Sequence, residues 1–387
     1  MSCSIFLNAF LLLSLFFHSS KADFNVITYG ASPKGTTDST PAFLKAWTAA
    51  CKSPTAATIS VPSGSYMIKP VIFQGPCLSK ITVKISGTIV APSGLNALGS
   101  SGYWILFIKV NRLSVIGGTI DAKATQFWAC RKAGKSCPSG ARSITFNWVN
   151  DGLISGLTSI NSQMSHVVIN SCNNVAVQNV RLIAPDQSPN TDGIHIQESS
   201  GVTVTGSSIR TGDDCVSIGP GSKNLHIANI QCGPGHGVSI GSLGNSLNEA
   251  GVENVTVTDS TFTGTQNGVR IKSWARASNS FVRNVAFQNL IMSNAQNPIL
   301  IDQNYCPSNE GCPNQSSGVQ ISHITYRNIK GTSATQVAMK LDCSSSKPCT
   351  GLRLQDIKLT SATQAVTSFC KNTGGESSNV ISPKSCL

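Results

Sequence analysis

Charge and aromatic side chains are both scarce in this 387-residue chain, at 12% and 6% of residues, while 40% are hydrophobic. That balance excludes a disordered chain, a coiled coil or a collagen-like rod, each of which needs a different bias. After the N-terminus no stretch approaches 18 apolar residues, so no transmembrane helix or membrane anchor is expected. There is no CxxC pair and no matching His cluster, which leaves little for a zinc site. Acidic residues are scarcer than basic ones: twelve Asp and five Glu stand against 29 Lys and Arg, for a net charge of +12. Such an excess suits a polyanionic partner: nucleic acid, anionic lipid or an acidic polysaccharide. Nucleic acid is disfavoured, because the basic residues form no cluster and there are few aromatics for bases to stack on.

The length would allow two domains, but one repetitive β architecture can occupy all of it. Ile5 to Phe17 is apolar yet too short to span a bilayer, and Ser20-Lys21-Ala22 places small residues where a signal cleavage site wants them. Residues 1–22 are therefore read as a signal peptide, although its first residues lack Lys or Arg, and residues 23–387 as one exported domain. Losing Cys3 with the signal leaves 13 of the 14 cysteines, an odd number in an oxidising compartment. Short separations pair Cys51 with Cys77, Cys130 with Cys137, Cys215 with Cys232, Cys306 with Cys312, Cys343 with Cys349 and Cys370 with Cys386. Cys172 is left over. Asn254 and Asn314 fit glycosylation acceptors, given meaning only by the export signal.

From residue 80 onward, short Val/Ile alternations separated by Gly, Asn, Ser and Asp dominate. Ile194-His-Ile196, Val216-Ser-Ile218 and Val238-Ser-Ile240 start 22 residues apart, and Val269-Arg-Ile271 and Ile299-Leu-Ile301 follow at 31 and 30. Long repeats with several short strands are what a coiling parallel β-solenoid needs, since each turn buries its apolar face against its neighbours. Asn174, Asn224, Asn254, Asn284 and Asn328 are expected at the bends. A β-sandwich is the alternative, and it would show hairpins every 8 to 12 residues instead of a long period. One segment departs from the pattern: Asp38-Ser-Thr-Pro41 opens the Ala-rich run to Ala50, read as a helix capping the N-terminal end of the stack.

Three of the twelve Asp fall within 23 residues: Asp192, Asp213 and Asp214. Aligning the repeats puts Asp192, Asp214, His236 and Asn267 at equivalent positions, rungs ~4.8 Å apart in a stack. Arg270 and Lys272 point outward on the next coil. Asp and Asn at strand starts often serve only as turn residues, and surface cations often only balance charge. Adjacent carboxylates, however, raise each other's pKa and destabilise the fold, a cost typical of active sites. Neighbouring carboxylates with separated pKa values equip glycoside hydrolysis, and a basic pair beside them suits an acidic sugar. Of the remaining histidines, His166, His195, His226 and His323 are read as structural or surface residues rather than catalytic ones, with His195, outward on the same sheet, the least settled.

Asn190-Thr-Asp192, Gly212-Asp-Asp214, Gly235-His-Gly237 and Arg270-Ile-Lys272, in this order, resemble the four signatures of polygalacturonases, glycoside hydrolase family 28. Plant-type flanks extend the resemblance, among them Cys232-Gly-Pro-Gly-His-Gly237 and Ile301-Asp-Gln-Asn-Tyr-Cys306. It implies an all-β, right-handed parallel β-helix that hydrolyses α-1,4 bonds of de-esterified pectin with inversion. By the same resemblance Asp213 is the general acid, Asp192 and Asp214 activate water, and His236 supports the acid. Arg270 and Lys272 bind substrate carboxylate, and Tyr305 and Asn190 contact the sugar. The resemblance further implies a plant cell-wall or apoplastic location, a monomer, polygalacturonic acid as partner, and no cofactor or metal. One departure is visible: after Trp274 many plant members continue with a Gly-rich stretch, where this chain has Ala275-Arg-Ala-Ser-Asn279. A β-eliminating enzyme would instead need a Ca²⁺ site and an Arg or Lys base, and a non-catalytic pectin-binding protein would not need the carboxylates.

Overall fold

The computed structural model describes residues 22–307 and 309–387, so the segment expected from the sequence to be a signal peptide, residues 1–22, lies outside the described residues except for Ala22. The strands wind into a parallel β-helix with three faces per coil. One coil runs Asn173–Gln178, Arg181–Ile183 and Ile194–Gln197, and the next runs Ser200–Thr205, Ser208–Arg210 and Val216–Ile218. Each strand pairs in parallel with its counterpart one coil away. Hairpin pairing, which a sandwich requires, does not occur among these strands. From Val252 onward the first two faces fuse into long strands such as Val252–Thr263 and Phe281–Ala295. The third face keeps its own sheet of eleven strands, from Val71–Gln74 to Thr367–Lys371.

Inward positions stack like on like. Ile196, Ile218, Ile240, Ile271, Ile301 and Leu341 pair successively along the third face, each fully buried. At ~1.5–3 kcal/mol for each buried aliphatic side chain, rows of this kind are the main source of stability. The corners are held by asparagines in the left-handed conformation. Asn174, Asn224, Asn254 and Asn284 share one corner at φ 54 to 57°, where the Asn254 amide donates to Asn224 Oδ1 at 3.0 Å and the Asn284 amide to Asn254 Oδ1 at 3.3 Å. Asn328 belongs to a different corner from these four, donating to Asn289 Oδ1 at 2.9 Å. Asn254 and Asn314, the two glycosylation candidates, are both exposed.

The capping helix α1 spans Thr40–Cys51 with Pro41 in its first turn, and buries Phe43, Ala46 and Trp47 over the open end of the core. Trp47 continues the interior through Phe73, Phe107 and Phe146, with ring centroids 5.0 to 5.6 Å apart. A second helix, α2 (Thr125–Lys132), was not expected from the sequence, because Ala124 at its N-cap gives no start signal and eight residues are too few for a clear period. It packs Phe127 and Trp128 against Ala124 and Ala184 at the corner leading to the third face. All six expected disulfides form, and Cys172 is free and buried.

Candidate active site

The third face carries the carboxylates. Its in-register pairings, Ile194 with Val216, Val216 with Val238 and Val238 with Val269, place Asp192, Asp214, His236 and Asn267 on successive rungs, as the repeat alignment requires. Asp213 sits one residue earlier, on the turn that enters the rung. That turn needs Gly212, because a Cβ there would lie 2.1 Å from the Ser188 carbonyl oxygen.

Side chains pair differently from their backbones. His236 turns to Asp213, with Nδ1 3.1 Å from Oδ1, and an oxygen of the same carboxylate accepts the Asp214 amide at 2.8 Å. Asp214 is the most enclosed of the three, its side chain 2% exposed against 19% for Asp213. It accepts from Ser239 Oγ at 2.8 Å, Arg270 Nη2 at 3.0 Å and Lys272 Nζ at 2.9 Å. The two cations expected to hold a substrate carboxylate thus also hold Asp214. Asp192 accepts from Ser217 Oγ at 2.6 Å. Ser217 and Ser239 were not singled out from the sequence, yet they are the middle, outward residues of the Val-Ser-Ile repeats. That position was signal enough to find them.

Tyr305 closes the C-terminal side. Its ring centroid lies 5.2 Å from Lys272 Nζ and 5.9 Å from the Arg270 guanidinium, and its edge meets Trp274 at 5.2 Å. Arg276, in the segment that replaces the Gly-rich stretch, covers the Trp274 ring at 5.4 Å. Asn190 is not drawn to the carboxylates; its Oδ1 accepts from Arg131 Nη2 of α2 at 3.1 Å. On the N-terminal side a cavity of about 310 Å³ is lined by Tyr103, Arg142, Asn147, Asn170, His195 and Gln197.

Burial, then the charges of Asp213 and Asp214, push the Asp192 carboxyl up to about 7 despite the Ser217 hydrogen bond and Lys272. Burial alone would also raise Asp213, but the hydrogen bond and charge of His236 outweigh it and hold Asp213 below the usual carboxylate range. His236 mirrors this: burial favours its neutral form, and the bond to Asp213 more than compensates, raising it. The pair carries its proton mainly on the imidazole. Donor atoms of Asp213, Asp214 and His236 lie within 4.8 Å of one another, close enough for a divalent ion. Such an ion would have to compete with Arg270 and Lys272, whose charges already satisfy Asp214.

The raised Asp192 has a stability consequence. Between its ordinary value of 3.8 and about 7 the folded protein binds a proton that the unfolded chain releases, so folding weakens as pH rises through that window. Asp192→Asn is therefore expected to stabilise the protein at pH 7.5, by about 1–3 kcal/mol, with the gain vanishing toward pH 4. Calorimetric melting across that range checks it; a gain independent of pH would contradict the cause given.

Residues 51–386 match the model of glycosyl hydrolases family 28. The chain belongs to this family. As a family 28 glycoside hydrolase it is 53% identical to a polygalacturonase of Prunus persica, over 95% of this chain and 94% of that one. To an exopolygalacturonase of Platanus acerifolia it is 41% identical, over 92% and 95% of the two chains. The endo-xylogalacturonan hydrolase of Aspergillus tubingensis shares the fold with a TM-score of 0.80 at 23% identity, over 92% of this chain and 99% of that one.

Proposed function

We propose that this family 28 hydrolase is a polygalacturonase that cleaves α-1,4 bonds between galacturonates of de-esterified pectin with inversion. The observation that carries this reading is the meeting of three carboxylates with Arg270 and Lys272 on a single sheet face. Lys272 has three N–H donors and Arg270 five, so after serving Asp214 and Ser239 both keep donors for a uronate. Asp213 delivers to the leaving oxygen the proton that the pair holds on His236: the imidazole passes it to the carboxyl as the glycosidic bond breaks, and His236 is reprotonated from solvent. Asp192, raised to about 7, deprotonates the attacking water, and Asp214 positions it. A base near 7 fits that task, because catalytic efficiency peaks when the pKa approaches the working pH. Tyr305 offers its ring to the sugar, and Asn190 contacts the chain beside α2.

The protein is further proposed to act outside the cell, in the plant wall. Six disulfides among the described residues favour an oxidising compartment, and no helix among them is long and apolar enough to cross a membrane. Incubation with polygalacturonate tests the activity: reducing ends should rise, without unsaturated uronides and without sensitivity to a chelator. Unsaturated products abolished by the chelator would mean elimination instead.

A further inference from the structure

Two carboxylates on the third face are held in the same way, one coil apart. Asp214 accepts from Ser239 Oγ at 2.8 Å, and Ser239 Oγ in turn accepts from Arg270 Nε at 3.0 Å. Asp192 accepts from Ser217 Oγ at 2.6 Å, and Ser217 Oγ lies 2.8 Å from His195 Nδ1. The sheet register explains the likeness: His195, Ser217, Ser239 and Arg270 are successive partners at the outward position of their strands. A serine hydroxyl has one proton. With that proton on the ionised Asp192, the His195 contact must run from Nδ1–H to the Ser217 oxygen, which makes Nε2 an acceptor; the Gln197 side chain, whose Oε1 stands 3.3 Å from Nε2, meets it by turning its amide over to present NH2. Burial keeps His195 below its ordinary value, so the ring is neutral and this tautomer is available.

We propose that His195 is a positioning residue for hydrolysis, acting through the Ser217 hydroxyl to hold and charge-stabilise Asp192, as Arg270 acts through Ser239 on Asp214. The inference rests on the proposed polygalacturonase reading for its link to turnover, although the hydrogen-bonded chain itself does not. The alternative use of His195 is as a wall of the cavity that it shares with Arg142 and Gln197, touching only the sugar. The two uses differ in what they do to Asp192. A donor that stabilises the carboxylate lowers its pKa, so breaking the chain must raise it further. The other groups facing the chain are Asp213, Asp214 and Lys272 about Asp192, and Arg142, Asp214 and Lys272 about His195.

The test is a ¹³C-carboxylate NMR titration of Asp192 in the free protein, run beside kcat and KM on polygalacturonate. Ser217→Ala and His195→Ala should each raise the Asp192 midpoint by about half a pH unit or more and lower kcat about tenfold. The acidic limb of kcat/KM should move up with the midpoint. The double variant should lose no more than Ser217→Ala alone, since both changes break one chain. His195→Asn, whose Nδ2 can stand where Nδ1 stood, should recover most of the loss. An unmoved Asp192 titration in His195→Ala, a rise in KM alone, or additive losses would overturn the proposal. Ser217→Ala removes a single oxygen and keeps the titration available should His195→Ala fail to fold. A wild-type protein that leaves polygalacturonate intact would sink the functional reading, and the titration would still decide the chain of hydrogen bonds.

Discussion

Asp213→Asn is expected to lower turnover on polygalacturonate by about 10²–10⁴-fold, the usual worth of a general acid, with the coil still folded. The amide keeps an oxygen where Asp213 now accepts from the Asp214 backbone N–H, so the turn after Gly212 retains its local bond. What the amide cannot do is pass a proton to the leaving oxygen or receive one from His236. A substrate whose leaving group needs no proton should recover much of the loss, which separates an acid defect from a misshapen cleft. Steady-state kinetics on polygalacturonate and on an activated aryl galacturonide measure both. Activity within a few-fold of wild type on the polymer would refute the assignment.

Lys272→Met should damage stability and binding together, for two distinct reasons. Asp214 is almost fully enclosed and relies on Lys272 and Arg270 for compensation. Removing one partner from a buried ion pair leaves charge without compensation, a loss of about 3 kcal/mol. On the substrate side the variant loses a charge-assisted contact to uronate worth about 1.5–3 kcal/mol. Adding Asp214→Asn removes the stranded charge and should restore much of the melting temperature without restoring activity. The binding loss should shrink on methyl-esterified oligomers, which have no charge to hold. Unchanged melting would show that Lys272 does not compensate Asp214, and equal losses on charged and esterified oligomers would show that it does not read the uronate.

The fold was legible because a solenoid repeats its own evidence. The 22-residue spacing of Ile194-His-Ile196, Val216-Ser-Ile218 and Val238-Ser-Ile240 is the coil length, and the aligned residues are the paired ones. The same register places Asp192, Asp214 and His236 on adjacent rungs. Side-chain direction was not legible in the same way. Equivalent backbone positions suggest a column, yet His236 reaches across to Asp213, and Arg270 and Lys272 converge on Asp214. Choices of this kind depend on rotamers and on which charge is least exposed to water, and spacing does not encode them. The α2 insertion escaped for a local reason, a short helix without a capping side chain. Its role in tying down Asn190 followed only from the Arg131 contact.

The central claim is that the carboxylates hydrolyse a uronate linkage by single displacement, and ¹H NMR of an early polygalacturonate digest tests it most directly. The first new reducing ends are expected as the β anomer, opposite to an α linkage, drifting toward the equilibrium mixture by mutarotation. An initial α anomer, or olefinic signals from an unsaturated uronide, would contradict it.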